Sequence, residues 1–242
     1  MVANPGEGEN RWFAEMIRQI ASAELTEEEI PRLLVVEQVR RLITGAISFD
    51  ASREAAERIA TSLRLLAAEV EANDAGYHYR GFAEAGPAGT AALPFFRSPV
   101  SGQLNPLAPP LELRVGHRGD AEVVEGRVLF SPAYEGPPGC VHGGWIAAVF
   151  DELLGMAQSL SGHPGMTASL TVDYVRPTPL LVELELSGRL DSVAGRKVFT
   201  SGELTAGGEV TARAKGLFIS IDPARLAGYA RQVEERRGGV SG

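Results

Sequence analysis

The stretch GCVHGGWIAAVFDELLG, residues 139–155, decides how this chain folds. Its apolar residues predict a helix over 145–160, yet two glycines precede that helix and two carboxylates, Asp151 and Glu152, interrupt it. Burying a carboxylate among apolar groups is costly unless the group is paired or used. Paired glycines give up backbone entropy and leave the N–H groups of a helix start open to a ligand. Both features mark this helix as a candidate functional element.

The residues around this helix follow the period of β-strands. Alternation is clearest in Met166–Val175, where it predicts that Thr167 faces away from Leu170. Gly207 and Gly208 predict a tight hairpin between the last two strands. Two strands, one helix and four strands in that order predict an α+β fold, with an antiparallel sheet curled around the helix. The predicted strands are 111–115, 122–130, 166–175, 182–187, 196–204 and 209–221.

The first 73 residues show helical periodicity instead. Thr26 and Glu29 have the spacing of a capping box, and Asp50 or Ser52 can cap a second helix. We expect two amphipathic helices that pack against another part of the protein. The proline-rich stretch 98–111 predicts a connector that lies against the second domain. We therefore divide the chain into a helical extension (1–73), a proline-rich connector (74–110), a sheet domain (111–222) and a C-terminal tail (223–242).

Composition restricts the class of function. The net charge of −8 argues against a nucleic-acid surface, because phosphate binding needs clustered Lys and Arg. No apolar run reaches about 18 residues, so we expect no membrane span, and the acidic start resembles no signal or transit peptide. The single cysteine, Cys140, fits a reducing compartment. The histidines lack metal-ligand spacing, so we expect no metal site. We also expect a cytoplasmic protein without a cofactor.

The helix start and the acid of this helix lie far apart along the chain. The N–H groups at a helix start suit an anion or a polarised carbonyl. Asp151 follows Gly143 by eight residues, which is about 12 Å at roughly 1.5 Å per residue. One subunit cannot easily place both groups on one reacting carbon, whereas a two-fold dimer pairs the glycine N–H of one subunit with the carboxylate of the other. The spacing predicts a homodimer. Glu152, about 100° further round the helix, is expected to be solvated or salt-bridged.

Three stretches together resemble one known family. They are YEGPPGCVHGGWIAAVFD (134–151), MTASLTVDYVRPTPL (166–180) and GRKVF (195–199). In this order and spacing they resemble the PaaI-like hotdog-fold acyl-CoA thioesterases, over roughly 111–222. The resemblance implies an antiparallel sheet wrapped around a central helix, with the N-terminal helices as an extension. It also implies a homodimer or tetramer of lipid metabolism that hydrolyses acyl-CoA to free acid and CoA.

The resemblance also implies roles for single residues. Gly143 matches the glycine whose N–H polarises the thioester carbonyl, and Asp151 matches the carboxylate that acts as general base or nucleophile. Thr167 matches the hydroxyl that helps to place the attacking water. Some relatives carry Asn six residues before the histidine, where this chain has Gly136. His142 has an alternative role, which is to hold the turn by hydrogen bonding. The expected substrate contacts are His142, Gly144, Tyr174, Arg196 and Lys197.

Two other functions use the same motifs. A non-catalytic acyl-CoA sensor or scaffold would bind the same ligand, with the helical half as its output. The presence of Asp151 and Thr167 weighs against it. A hotdog dehydratase or hydratase ranks lower, because His142 and Asp151 are not positioned together on one substrate. Equilibrium binding of CoA esters without thiol release separates the sensor from the hydrolase.

Overall fold

The protein is seen in a computed structural model, and its described residues include two long N-terminal helices and a sheet domain with one long helix. No helix among the described residues is long and apolar enough to cross a membrane. The structure describes residues 14–15, 17–19, 22–73, 96–109, 111–163 and 165–221, so the predicted tail and the first part of the predicted connector lie outside it. The helices are α1 (Ile30–Ile47), α2 (Arg53–Ala72) and α3 (Gly143–Ser159). The strands are β1 (Glu112–Arg118), β2 (Ala121–Leu129), β3 (Gly165–Tyr174), β4 (Glu183–Ala194), β5 (Lys197–Ala206) and β6 (Glu209–Ser220).

All six strands form one antiparallel sheet, which confirms the predicted α+β architecture. The strand order is β1-β2-β4-β5-β6-β3, so β1 and β3 are the edge strands. Because β2 and β3 are separated by three other strands, α3 crosses the sheet on its way between them. The hairpin between β5 and β6 turns at Gly207 and Gly208, whose φ angles are 56° and 83°. Positive φ at both central residues is what the predicted two-residue turn requires.

α3 packs one apolar face against the sheet. Eight of its residues are buried, among them Phe150, Leu153 and Leu154. Full burial of a side chain of this size contributes about 1.5–3 kcal/mol. Two glycines of the sheet allow this close approach. A Cβ on Gly188 would lie 2.9 Å from Leu153 Cγ, and a Cβ on Gly202 would lie 3.2 Å from side-chain carbons of both leucines.

β3 departs from strict alternation, and this changes the direction in which Thr167 points. Its pairing with β6 shifts register between Thr167 and Ser169. An extra residue in one strand reverses the face on which the residues beyond it lie. Thr167 lies opposite the buried Phe218 and therefore faces α3, as does Leu170, which packs against the core. The prediction that Thr167 faces away from Leu170 was wrong, because a period of two does not anticipate a bulge.

The N-terminal helices differ from α3 in burying no residue. Ser52 caps α2 as predicted, and its hydroxyl accepts a backbone N–H of the first turn at 3.2 Å. The Glu29 carboxylate accepts the N–H of Thr26 at 2.9 Å, which is one half of the predicted capping box, while α1 begins only after Glu29. α1 lies against the 3-10 turn Pro132–Tyr134. The two amphipathic patterns therefore predicted both helices, and the expected packing against another part of the protein is seen for α1.

Polar contacts attach the N-terminal residues to the sheet domain. Arg18 donates two hydrogen bonds of 2.8 Å to the Glu122 carboxylate. These bonds lower the pKa of Glu122 and raise the pKa of Arg18 relative to their ordinary values. The hydroxyls of Thr44 and Ser131 lie 3.2 Å apart. The Arg40 side chain reaches the segment that precedes β1.

Candidate active site

The start of α3 presents one free backbone donor. His142 is the N-cap residue, and its Nδ1 accepts the N–H of Gly144 at 3.0 Å. This confirms the alternative role of His142, which is to hold the turn, and it occupies the donor of Gly144. Among the described residues, no hydrogen bond uses the N–H of Gly143. That N–H lies in the first turn, where the partial positive charge of the helix dipole is greatest.

Tyr174 closes one side of this helix start. Its hydroxyl donates a hydrogen bond of 2.9 Å to the Gly143 carbonyl oxygen. A Cβ on Gly143 would lie 3.3 Å from that hydroxyl oxygen, so a side chain here would press on the tyrosine. The Tyr174 side chain is 55% exposed and open to a ligand. Its predicted role in lining a channel stays a prediction, as do the substrate contacts of His142 and Gly144.

The acid of α3 is hydrogen-bonded to the bulged strand. The Thr167 hydroxyl donates to Asp151 Oδ1 at 2.8 Å, and both residues are exposed. This contact depends on the register shift in β3, which turns Thr167 toward α3. The hydrogen bond orients the carboxylate and leaves its second oxygen, Oδ2, available to a ligand or to water. The structure therefore brings together two of the predicted catalytic residues.

Within one chain, the free donor and the acid form two separate half-sites. Gly143 and Asp151 are eight positions apart on α3, about 12 Å at roughly 1.5 Å per residue. Reacting atoms have to approach to about 3–3.5 Å. The residues bonded to these two groups are also far apart, because Tyr174 and Thr167 lie near opposite ends of β3. We call Gly143 with Tyr174 the donor half-site, and Asp151 with Thr167 the acid half-site.

The two predicted cations lie at the acid half-site's end of the sheet. Lys197 is opposite Ile219 on β6, and Ile219 is opposite Met166 at the beginning of β3. Two strand spacings separate Lys197 from β3, which is about 10 Å. Arg196 Nε donates to the Ser220 carbonyl oxygen at 3.1 Å, and both cations are exposed. Arg196 and Lys197 therefore lie at the same end of the sheet as the acid half-site, and Lys197 is on the sheet face that points away from α3.

Sequence reasoning missed the contacts of Glu152. We expected this carboxylate to be solvated or salt-bridged, but it is half-buried, and its Oε1 accepts hydrogen bonds from two serines. They are Ser98, whose hydroxyl lies 2.8 Å away, and Ser101. Both belong to the proline-rich stretch that precedes β1. The only signal in the sequence is a pair of serines in a stretch rich in proline and leucine, and no spacing connects them with a helix this far along the chain.

Comparison with known proteins places these residues in one superfamily. Residues 138–212, which include both half-sites, match the family model described as Thioesterase superfamily. The crystal structure of a thioesterase superfamily protein is 33% identical in sequence and aligns with a TM-score of 0.66. That alignment covers 78% of this chain and 94% of the solved one.

Curated relatives match a shorter part of the chain. Acyl-coenzyme A thioesterase THEM4 of Bos taurus is 39% identical over 94 residues, and that of Rattus norvegicus is 41% identical over 91 residues. These alignments cover 38% and 37% of this chain, and 38% and 39% of the relatives, so the match spans about two fifths of their length. The six-stranded sheet with its packed helix is the hotdog fold that the sequence motifs predicted. From its sequence, its fold and the extent of its match to the solved structure, this chain belongs to the thioesterase superfamily.

Proposed function

We propose that the protein hydrolyses acyl-CoA thioesters to a carboxylic acid and CoA. The observation that carries this proposal is the hydrogen bond from Thr167 to Asp151, on the same helix whose Gly143 N–H is free. These groups provide an oriented carboxylate, which can take a proton from water or attack the carbonyl carbon. They also provide an N–H donor for the carbonyl oxygen. The relatives named acyl-coenzyme A thioesterases support the choice of CoA esters as the substrate class.

The proposed reaction requires two copies of the chain, because the half-sites of one copy are too far apart. β3 is an edge strand of ten residues, and Met166 and Tyr174 near its two ends are 56% and 55% exposed. An unpaired edge of this length can add a strand from another chain. Two-fold pairing of two β3 edges is antiparallel, so the donor half-site of one protomer would approach the acid half-site of its partner.

In such a dimer, the thioester carbonyl oxygen would accept the Gly143 N–H of one protomer. Negative charge develops on this oxygen during attack, and one preorganised donor there is typically worth ~10²–10³ in rate. Asp151 of the partner would take a proton from water as the water oxygen attacks the carbonyl carbon. Alternatively, its Oδ2 would attack the carbon, and water would hydrolyse the resulting anhydride. In both routes the C–S bond breaks, and the CoA thiolate leaves and takes up a proton.

The remaining predicted residues would hold the CoA portion and the channel. Arg196 and Lys197 are exposed cations at the acid half-site's end of the sheet, and cations suit the phosphates of CoA. Tyr174, His142 and Gly144 would contact the substrate near the donor half-site. We also propose that the protein belongs to the PaaI-like branch and forms a homodimer or tetramer. Its proposed role is in lipid metabolism in the cytoplasm.

The direct test measures thiol release from a panel of acyl-CoA esters that differ in chain length and aromaticity. We expect the wild type to hydrolyse at least one class with saturating kinetics. Asp151→Ala should lower kcat by about 10²–10⁴-fold, the usual contribution of a positioned acid or base. Asp120→Ala is the matched control, because Asp120 is also an exposed acid and lies in the turn between β1 and β2, at the side of the sheet away from β3. The control should keep wild-type kinetics.

Two outcomes would contradict the proposal. Wild-type-like turnover of Asp151→Ala would remove this carboxylate from the reaction. Tight binding of CoA esters with no thiol release from any member of the panel would favour the sensor or scaffold. Circular dichroism and the sedimentation of each variant distinguish loss of chemistry from loss of fold or assembly.

A further inference from the structure

A loop of the N-terminal half contacts α3 immediately beside Asp151. We call residues 96–109 the connector loop. Glu152 accepts the hydroxyls of Ser98 and Ser101 from this loop. The Ser98 oxygen also accepts the backbone N–H groups of Val100 and Ser101 at 3.1 and 3.3 Å. Its lone pairs are therefore used within the loop, and its proton is directed to the carboxylate.

α1 also contacts this loop, through Arg40. Its side chain is partly buried, and burial lowers the pKa of Arg40 from its ordinary value. Within the loop, a Cβ on Gly102 would lie 2.4 Å from the Ser98 carbonyl oxygen, so the backbone folds back tightly on itself. The two N–H groups of Arg40 Nη2 are shared among the carbonyl oxygens of three loop residues at 2.8–3.1 Å: Gly102, Gln103 and Asn105. A cation that has lost this much solvation depends on these acceptors.

The connector loop also contacts the residues that lead into α3. Tyr134 donates its hydroxyl to the Leu107 carbonyl oxygen at 3.2 Å. Burial raises the pKa of Tyr134, so the hydroxyl keeps its proton and remains a donor. The Tyr134 carbonyl oxygen accepts the N–H of His142 at 2.8 Å, and its ring meets Trp145 edge-on at 4.9 Å. The loop therefore supports α3 near its start and again at Glu152.

We infer that the connector loop is a strut between α1 and the catalytic segment of α3, with Arg40 and Glu152 as its positioning residues. Glu152 is the next residue to Asp151, so a displacement of its backbone displaces the acid half-site as well. The catalytic consequence rests on the proposed hydrolysis. A misplacement of about 1 Å in a reacting group can cost about 10²-fold in rate, and coupling over a distance requires such a chain of contacts.

The first experiment separates the hydrogen bonds of Glu152 from its charge. Glu152→Ala should lower kcat by about 10–10²-fold with KM within about twofold, because its carboxylate is bonded to the loop serines and acts through the position of α3. Glu152→Gln should recover most of kcat, since its amide oxygen still accepts both serine hydroxyls. The double variant Ser98→Ala/Ser101→Ala should match Glu152→Ala. Wild-type kcat in Glu152→Ala, or equal defects in the Gln and Ala variants, would overturn the inference.

The second experiment compares two neighbouring arginines of α1. Arg40→Met removes the hydrogen bonds to the loop but keeps much of the apolar stem. Arg41→Met is the matched control, because the hydrogen bond that Arg41 makes among the described residues stays within α1, to Gln38 at 2.9 Å. We expect Arg40→Met to lower kcat by about fivefold to tenfold and the control to leave it unchanged. Equal kinetics in the two variants would show that α1 does not reach the active site.

Amide hydrogen exchange tests the strut without substrate. Arg40→Met and Glu152→Ala should each increase exchange in residues 146–158 of α3, while Arg41→Met should not. If the wild type hydrolyses no acyl-CoA but exchange responds as expected, the proposed function fails and the strut stands. If the wild type is active but kcat and exchange are both unchanged in Arg40→Met, the strut fails. Where Arg40→Met does not fold, the Glu152 variants decide by the same two readouts.

Discussion

α2 and α3 are both amphipathic helices, of 20 and 17 residues, but they use their faces differently. α3 buries eight residues against the sheet, whereas α2 buries none, and its Leu65 and Leu66 are 69% and 54% exposed. Helical periodicity therefore predicts that a helix forms, but it does not predict what the helix contacts. The glycines of the sheet supply the missing information for α3, because they allow its leucines to approach the strands.

The polar faces of the two helices differ in the same way. Among the described residues, the side-chain hydrogen bonds of α2 and its caps join positions at most four apart, as between Arg53 and Glu57 or from Thr61 to the Glu57 carbonyl. In α3, Asp151 is bonded to β3 and Glu152 to the connector loop. Such links across long stretches of sequence fix the orientation of a carboxylate, whereas contacts one turn apart leave it in solvent. A functional polar stripe is thus recognised by its partners in other elements.

The largest expected effect contrasts the apolar faces of the two helices. Phe150→Ala should lower the free energy of unfolding by about 3–5 kcal/mol, because it leaves a cavity between α3 and the sheet. Leu66→Ala should change it by less than about 0.5 kcal/mol, since this side chain is exposed and alanine favours a helix. Denaturant unfolding of both variants at several protein concentrations measures the difference. Similar losses would mean that the α2 face is buried in solution, which would contradict the difference between the two helices.

A smaller effect concerns the bond between α3 and β3. Thr167→Val removes the donor to Asp151 at nearly constant volume and should lower kcat by about tenfold, as expected for one hydrogen bond to a charged group. Thr171→Val is the control, because Thr171 is an exposed residue of the same strand, beyond the bulge. Equal kinetics in the two variants would show that the Thr167 contact has no part in the reaction.

The smallest expected effect concerns the ion pair that attaches the N-terminal residues to β2. Because the pKa of Glu122 is lowered in the fold, its contribution is present above the ordinary value of 4.5 and is lost as pH falls through the lower value. Glu122→Gln should reduce the free energy of unfolding by about 0.2–1 kcal/mol at neutral pH. It should also reduce the loss of stability at acid pH in a plot of stability against pH. Identical acid limbs in wild type and Glu122→Gln would contradict this account.

Much of the sheet domain was predictable from local pattern. Alternation predicted all six strands, and the apolar run predicted α3 to within two residues at its start. The paired glycines predicted the β5–β6 hairpin, and Ser52, one of the two residues predicted to cap α2, marks its start. Each of these signals acts over a few residues, so it is legible in a single sequence. The separation of Gly143 from Asp151 follows in turn from helix geometry alone.

The contacts that complete the site were beyond the reach of local pattern. The bulge that turns Thr167 toward Asp151 depends on how β3 pairs with β6, and no residue type marks it. The bonds from Ser98 to Glu152 join positions 54 residues apart. The hydrogen bonds from Arg40 to the connector loop join positions more than 60 residues apart. Such contacts are set by tertiary packing, which propensity and periodicity do not encode.

The most direct measurement asks whether the two half-sites act between protomers. Gly143→Pro removes the N–H at a position where proline fits a helix start, and Gly143→Ala keeps the N–H while adding the same Cβ. Differently tagged Asp151→Ala and Gly143→Pro chains are co-expressed, and dimers that carry both tags are purified and assayed for acyl-CoA hydrolysis. Each such dimer retains one intact site of two, so we predict about half of the wild-type kcat although either variant alone is inactive. Mixed dimers as inactive as their parents would contradict a site shared between two chains.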